Sequence, residues 1–261
     1  MKKIVAATYY WVRDLLVLCL HKGTTRRPVG YERIYQIHIR KTSGTSVNAA
    51  FWAHADQNIK DIVSKNVVYG NQLVMVRHSK QLIEKGHYFY ANSHIPYWDL
   101  TLPPATYCFC ILRDPFGRLV SLYKYYKWIL ELDPSTATQQ EPYYSTLINS
   151  AQCASKDFGK FLDSLTRSNI QNQLYNFSNR YDVDEALEKS NELNSIFFQD
   201  RFDDAINELQ KVAGLVLKSR ADRKSAPKAN IEISDDEKQR AMELLVDEYK
   251  FYNALRERHS N

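Results

Sequence analysis

The sequence predicts an α/β fold built on a parallel sheet, with added helices covering one side, and three observations carry that reading. First, "RIYQIHI", "HYFYANS" and "TYCFCIL" are short runs rich in β-branched and aromatic residues, the composition of buried strands. Second, "TSVNAAFWAHA" and "FGRLVSLYKYYKWIL" keep apolar residues at helical spacing. Third, each of those helices starts directly behind a strand, at a tight polar junction. A chain of 261 residues suits one large domain, and we divide it into a helical extension over 1–30 and one domain over 31–261.

Taken in order, the alternation from Arg33 to Ile39 reads as the first strand. The helix behind it places Val47, Ala50 and Phe51 on one side. Polar connections lead to the two further strands, and Pro115 suits the first turn of the next helix, where Leu119, Leu122 and Tyr126 keep the period. "LDPSTATQQEPYYST" is polar, carries two prolines and reads as a mobile surface loop. Helices follow around "DFGKFLDSL", "IQNQLYNF" and "DVDEALEKSNEL". "SIFFQD" reads as the last strand and "RFDDAINELQKVAG" as a helix. The final helix starts at Ser234, which has capping-box spacing to Glu237, and buries Met242, Leu245, Tyr249 and Tyr252.

The net charge is +5, from 35 Lys and Arg against 30 Asp and Glu, with no basic run of five. Such a mild excess fits an anionic small molecule or polysaccharide and argues against a nucleic-acid binder. None of the four cysteines has metal-ligand spacing; Cys108 and Cys110 would face the same side of one strand as buried thiols. The N-terminus has a basic start and the apolar residues Leu15, Leu16, Val17, Leu18 and Leu20. Arg13 and Asp14 interrupt it, so it is too short and too charged for a span of about 20 residues. The reading is a helix face that docks on the domain or makes peripheral contact with a membrane surface.

Two segments carry chemistry. In "IHIRKTSGTSV" a strand turns tightly into a helix, which aims backbone N–H groups and the positive helix end at one spot. Gly44 permits close backbone approach, while Lys41, Thr42, Ser43, Thr45 and Ser46 offer a charge and hydroxyl donors. An ordinary Ser/Thr-capped helix with a solvated Lys is the alternative. In "CFCILRDPFGRLVSLYKYY", Arg113 ends a strand where open α/β sheets bind ligands, and Ser121 lies in the following helix. A guanidinium fork with a nearby hydroxyl suits a phosphate monoester. Asp114 and Arg118 read as structural.

Together the two segments resemble sulfotransferases that use 3′-phosphoadenosine-5′-phosphosulfate (PAPS), especially the carbohydrate enzymes related to chondroitin and heparan-sulfate 2-O-sulfotransferases and their bacterial relatives. "RKTSGTS" is similar to that family's "PKTGGTS"-like 5′-phosphosulfate loop, and "LRDPFGRLVSLYKY" to its "LRDPxxRxxSxYxY" 3′-phosphate segment. Weaker likeness runs through "SHIPYWDL", "FQDRFDDAINEL" and "VDEYKFY", so it covers most of the chain after about Ile34. Arg40 stands where the family has Pro, and Ser43 where it has the first Gly of a pair. The resemblance implies a P-loop-like sulfotransferase fold over 31–261, working without a metal. It implies that Thr42, Ser43, Gly44, Thr45 and Ser46 cradle the 5′ end, while Arg113 and Ser121 grip the 3′-phosphate. Lys41 would assist the leaving group as a catalytic residue. It further implies a cytoplasmic location if the chain is of bacterial type, and the Golgi membrane if eukaryotic.

His94 follows a strand in "YANSHIPYWDL", where related enzymes show "GHxPY" with His as the proposed base; here Ser93 replaces the Gly. A loop His that merely caps the strand is the alternative. His38 reads as a strand residue, and His78, His87 and His259 have no evident partner. Tyr97 and Trp98 are candidates to stack on a sugar, or core residues. Arg220, Arg223 and Lys224 fall where related enzymes have a late basic loop near the nucleotide or an anionic acceptor; a solvated basic loop is the alternative. The expected activity is sulfuryl transfer to a carbohydrate hydroxyl. The rivals are a glycan-binding protein without catalysis and a P-loop kinase, whose Gly-Lys-Ser/Thr loop end and Mg²⁺-binding Asp do not appear.

Overall fold

The computed structural model describes residues 26–55, 65–217 and 231–259, together with Ile62 and several positions between 8 and 19. The strands are β1 (Arg33–Ile37), β2 (Val67–Gly70), β3 (Leu73–Arg77), β4 (Tyr90–Ser93), β5 (Thr106–Leu112) and β6 (Ser195–Phe198). They form one sheet in the order β2-β3-β4-β1-β5-β6, parallel except for β2, which pairs antiparallel with β3. The helices are α1 (Gly44–Trp52), α2 (Lys80–Lys85), α3 (Pro115–Glu131), α4 (Ala137–Gln140), α5 (Tyr144–Ala151) and α6 (Phe158–Ser164). They continue as α7 (Arg167–Ile170), α8 (Asn172–Phe177), α9 (Val183–Ser190), α10 (Phe202–Ala213), α11 (Asp235–Leu244) and α12 (Val246–Arg258).

Helices flank both faces of the sheet, as expected, because alternate strand residues are apolar on each side. Tyr35, Ile37, Cys108, Cys110 and Leu112 pack beneath α2, α8, α9 and α12. Ile34, Phe109 and Ile111 pack beneath α1 and α10. A third cluster joins α3, α5, α6 and α11 beside the sheet. Cys108 and Cys110 lie in the same layer as free thiols, and burial pushes both up from their usual pKa.

Three expectations need correction. The connection before "HYFYANS" holds the β2–β3 hairpin, whose turn residues Asn71 and Gln72 both take positive φ. "LDPSTATQQEPYYST" forms α4 and the start of α5, and it buries Ala137 and Glu141 instead of lying free on the surface. The final helix breaks at Leu245 into α11 and α12, and the break leaves Met242 39% exposed while Leu245 is buried. The capping box of Ser234 and Glu237 is present. At the N-terminus Leu15 packs against the core layer that holds Tyr35 and Ile37, and Leu16 is exposed; Val17, Leu18 and Leu20 lie outside the described residues. No helix among the described residues is long and apolar enough to cross a membrane.

Candidate active site

Four neighbouring parallel strands end on one edge of the sheet, and each is followed by one element of the site. His78 follows β3, His94 follows β4, the Arg40–Ser46 loop follows β1, and Arg113 follows β5. Strands are added to one side of β1 and then to the other, so this edge lies at the topological switch point where α/β sheets form ligand crevices.

The loop behind β1 is tightly constrained. Lys41 and Ser43 both take left-handed backbone angles, with φ 67° and 74°. Ser43 therefore occupies a position that Gly fills most easily, at a cost on the order of 1 kcal/mol. Gly44 is required for space: a Cβ there would lie 2.2 Å from Cδ2 of His38. Thr42 is buried and its hydroxyl donates to the Ile39 carbonyl at 3.0 Å, so that side chain closes the turn and does not face a ligand. The backbone N–H of Arg40 donates to Oδ1 of Asn172 at 3.3 Å. At the start of α1 no side chain caps the helix, and the hydroxyls of Ser43, Thr45 and Ser46 make no hydrogen bond among the described residues. These hydroxyls lie at the first turn of α1, beside its positive helix end.

Lys41 and Arg113 come together beside it. A guanidinium N–H of Arg113 donates to the Lys41 carbonyl at 3.3 Å, and the Lys41 ammonium lies 3.9 Å from the ring centre of Tyr125. The Tyr125 hydroxyl donates to Glu141 at 3.0 Å, which ties the segment before α5 to the site. Gly117, Ser121 and Tyr125 follow one another at four-residue spacing and share a face of α3. A Cβ on Gly117 would lie 3.6 Å from Nε of Arg113, so this half-exposed face, with Ser121 at its centre, borders the two cations.

Arg113 is held by its backbone. Gln173 accepts from its N–H at 2.8 Å and donates to its carbonyl at 2.9 Å. Gln173 in turn donates through its side chain and its backbone to Glu248, which also pairs with Arg118 at 3.3 Å. Arg118 and Glu248 are both wholly buried, and Arg118 also donates to the carbonyls of Asn169 and Ile170. Asp114 caps α3 through Gly117 and accepts from the Tyr249 hydroxyl. Both residues are thus structural.

His94 is the best-oriented base. Its Nδ1 lies 2.6 Å from the His38 carbonyl, so that nitrogen carries the proton and Nε2 keeps the lone pair. The ring lies between those of His38, at 4.3 Å, and His78, at 5.7 Å. Burial, then the charge of Arg40, push the His94 pKa down to about 4, against the His38 carbonyl. Burial, with Arg77 and His94, pushes His78 down to about 3. Protein crowds each ring but leaves an open edge in solvent, so water screens these effects; the downward direction is what bears on the chemistry. Ser93 is buried and bonds the Tyr35 hydroxyl at 2.8 Å and the Ile95 N–H at 3.2 Å, which fixes the turn that carries His94.

His38, which lies one residue beyond the end of β1 and not within the strand as expected, and His78, for which no partner was evident, therefore flank the candidate base. Arg77 joins them: it approaches Nε2 of His78 at 3.4 Å, bonds the Tyr143 hydroxyl and lies over Trp52. This strand end belongs to the β2–β3 hairpin, whose sequence signal is the Gly70-Asn71 step between two β-branched runs. Tyr97 is buried in the core, and Trp98 donates to the Tyr175 carbonyl at 2.7 Å. Arg220, Arg223 and Lys224 lie outside the described residues. Among the described residues no group of three or more His, Cys, Asp or Glu side chains is arranged to hold a metal. No family model and no curated protein matches the chain.

Proposed function

We propose that the chain is a PAPS-dependent sulfotransferase acting on an acceptor hydroxyl, with a carbohydrate as the acceptor class. The carrying observation is that one sheet edge holds Lys41 with Arg113, the uncapped start of α1 against His38, and His94 stacked on His38, whose carbonyl sets the His94 tautomer. The residues present suit the donor: hydroxyls and N–H groups at the loop for the 5′ end, Arg113 with Ser121 for a 3′-phosphate. PAPS supplies a sulfuryl group whose bridging S–O bond is the one that breaks. In this reading His94 Nε2 takes the acceptor proton as the hydroxyl oxygen bonds to sulfur. Lys41 neutralises the charge left on the 5′-phosphate oxygen, which keeps the electron pair of the broken bond. The products are a sulfate ester and 3′,5′-adenosine bisphosphate, and His94 returns its proton to water.

The test is transfer of labelled sulfate from PAPS to a panel of glycans by the purified chain. Labelled glycan that depends on Lys41 is the expected result. Glycan binding without transfer, unchanged in Lys41→Ala, would instead establish the non-catalytic reading.

A further inference from the structure

The sheet's other edge, at the start of β1, holds a pocket of about 260 Å³ lined by Arg26, Arg27, Arg33, Lys85, His87 and Glu32 among others. Four basic side chains line it with one carboxylate, and that carboxylate is already engaged by Arg27 at 2.6 Å. Arg33 is fixed in place, since Nε donates to the Gly86 carbonyl at 2.8 Å and Nη1 to the Pro104 carbonyl at 2.6 Å. Its Nη2 makes no hydrogen bond, and exposed Arg26 and Lys85 have no acidic partner, among the described residues. Positioned, unneutralised cations of this kind suit a phosphate-type anion. The five residues of β1 separate this pocket from the nucleotide loop by about 15 Å, so it is a different site.

The N-terminal segment, which leads along the chain toward Arg26, adds an apolar surface. Of the nine large hydrophobic side chains exposed among the described residues, four (Tyr9, Trp11, Val12 and Leu16) belong to the N-terminal segment. The described positions between 8 and 19 are helical, which puts Tyr9, Val12 and Leu16 on one face. Leu15 packs instead into the apolar layer to which Tyr88, a pocket residue, also belongs. Exposed aromatic and aliphatic residues on a helix followed closely by basic ones match a structure that lies on a bilayer without spanning it.

We propose that the chain docks on an anionic lipid bilayer, with the Arg26/Arg33/Lys85 pocket taking a lipid phosphate and the Tyr9–Leu16 face entering the interface. Orientation would then turn the catalytic edge away from the lipid. The test is flotation of the full chain with vesicles of phosphatidylcholine alone or mixed with phosphatidylglycerol, which does not depend on the enzymatic reading. Binding only to the mixed vesicles, weakened by salt, is expected. Arg26→Ser with Lys85→Ser should lower partitioning about 25-fold, at about fivefold for each basic residue near an anionic surface. Trp11→Ser should lower it independently, and both variants should keep the wild-type unfolding midpoint. Absence of binding to the mixed vesicles, or equal binding by the double variant, overturns the proposal. So does thermal stabilisation by inorganic phosphate in a chain that ignores vesicles, which would make the pocket a free-anion site.

Discussion

His94→Asn is expected to lower kcat for sulfuryl transfer by about 10²- to 10⁴-fold, the range for loss of a positioned general base, with little change in affinity for the nucleotide. Orientation sets the size of this effect. The His38 carbonyl holds Nδ1–H at 2.6 Å, so the wild-type ring presents a lone pair without having to change tautomer. The pH profile separates a base from a packing residue. Burial and Arg40 lower the His94 pKa, so kcat/KM should stay level from neutral pH through the usual imidazole pKa of about 6.5 and fall only at lower pH. Lowered pKa values at His94 and His78 also set the sign for stability. As pH falls below about 6.5 the unfolded chain takes up protons first, so the folded state loses stability toward its own, lower pKa values. His94→Asn should remove the acid limb of activity and flatten part of the stability slope. A variant that keeps both would make His94 a spectator.

Glu248→Ala is expected to destabilise the fold by about 3–5 kcal/mol, because it leaves the wholly buried Arg118 charge without its carboxylate. For a domain of this size that is a fall in Tm on the order of 10 °C in thermal unfolding. Glu248 also accepts the Gln173 bonds, and Gln173 holds the backbone of Arg113 at both its N–H and its carbonyl. The second expected effect is therefore weaker nucleotide binding at a temperature where the variant remains folded. Gln173→Leu should share that second effect with a much smaller loss of Tm. Equal nucleotide affinity in both variants would show that Arg113 needs no brace.

The sheet was largely legible from local pattern. The run "TYCFCIL" is β5 residue for residue, and the helix behind Pro115 runs to Glu131 with Asp114 as its cap. Elements whose burial depends on distant partners were not legible. Glu141 and Tyr143 read as loop residues because polarity suggests solvent, yet they bond Tyr125 and Arg77 across 16 and 66 residues. At the site, the β1, β4 and β5 ends were marked by local motifs. The brace from Glu248 through Gln173 to Arg113 spans 75 and then 60 residues, and no spacing rule connects them. Thr42 shows the reverse limit: its hydroxyl type fits a ligand, but its backbone position commits it to the Ile39 carbonyl.

The most direct measurement is the thermal unfolding midpoint of the full chain with and without 3′,5′-adenosine bisphosphate. A ligand that binds only the folded state at a hundred times its Kd adds about 2.7 kcal/mol, or a rise of about 5–10 °C here. The account predicts that rise in the wild type and a reduced rise in Arg113→Ala. No rise at a saturating concentration would contradict the nucleotide site, and with it the roles assigned to Lys41 and His94.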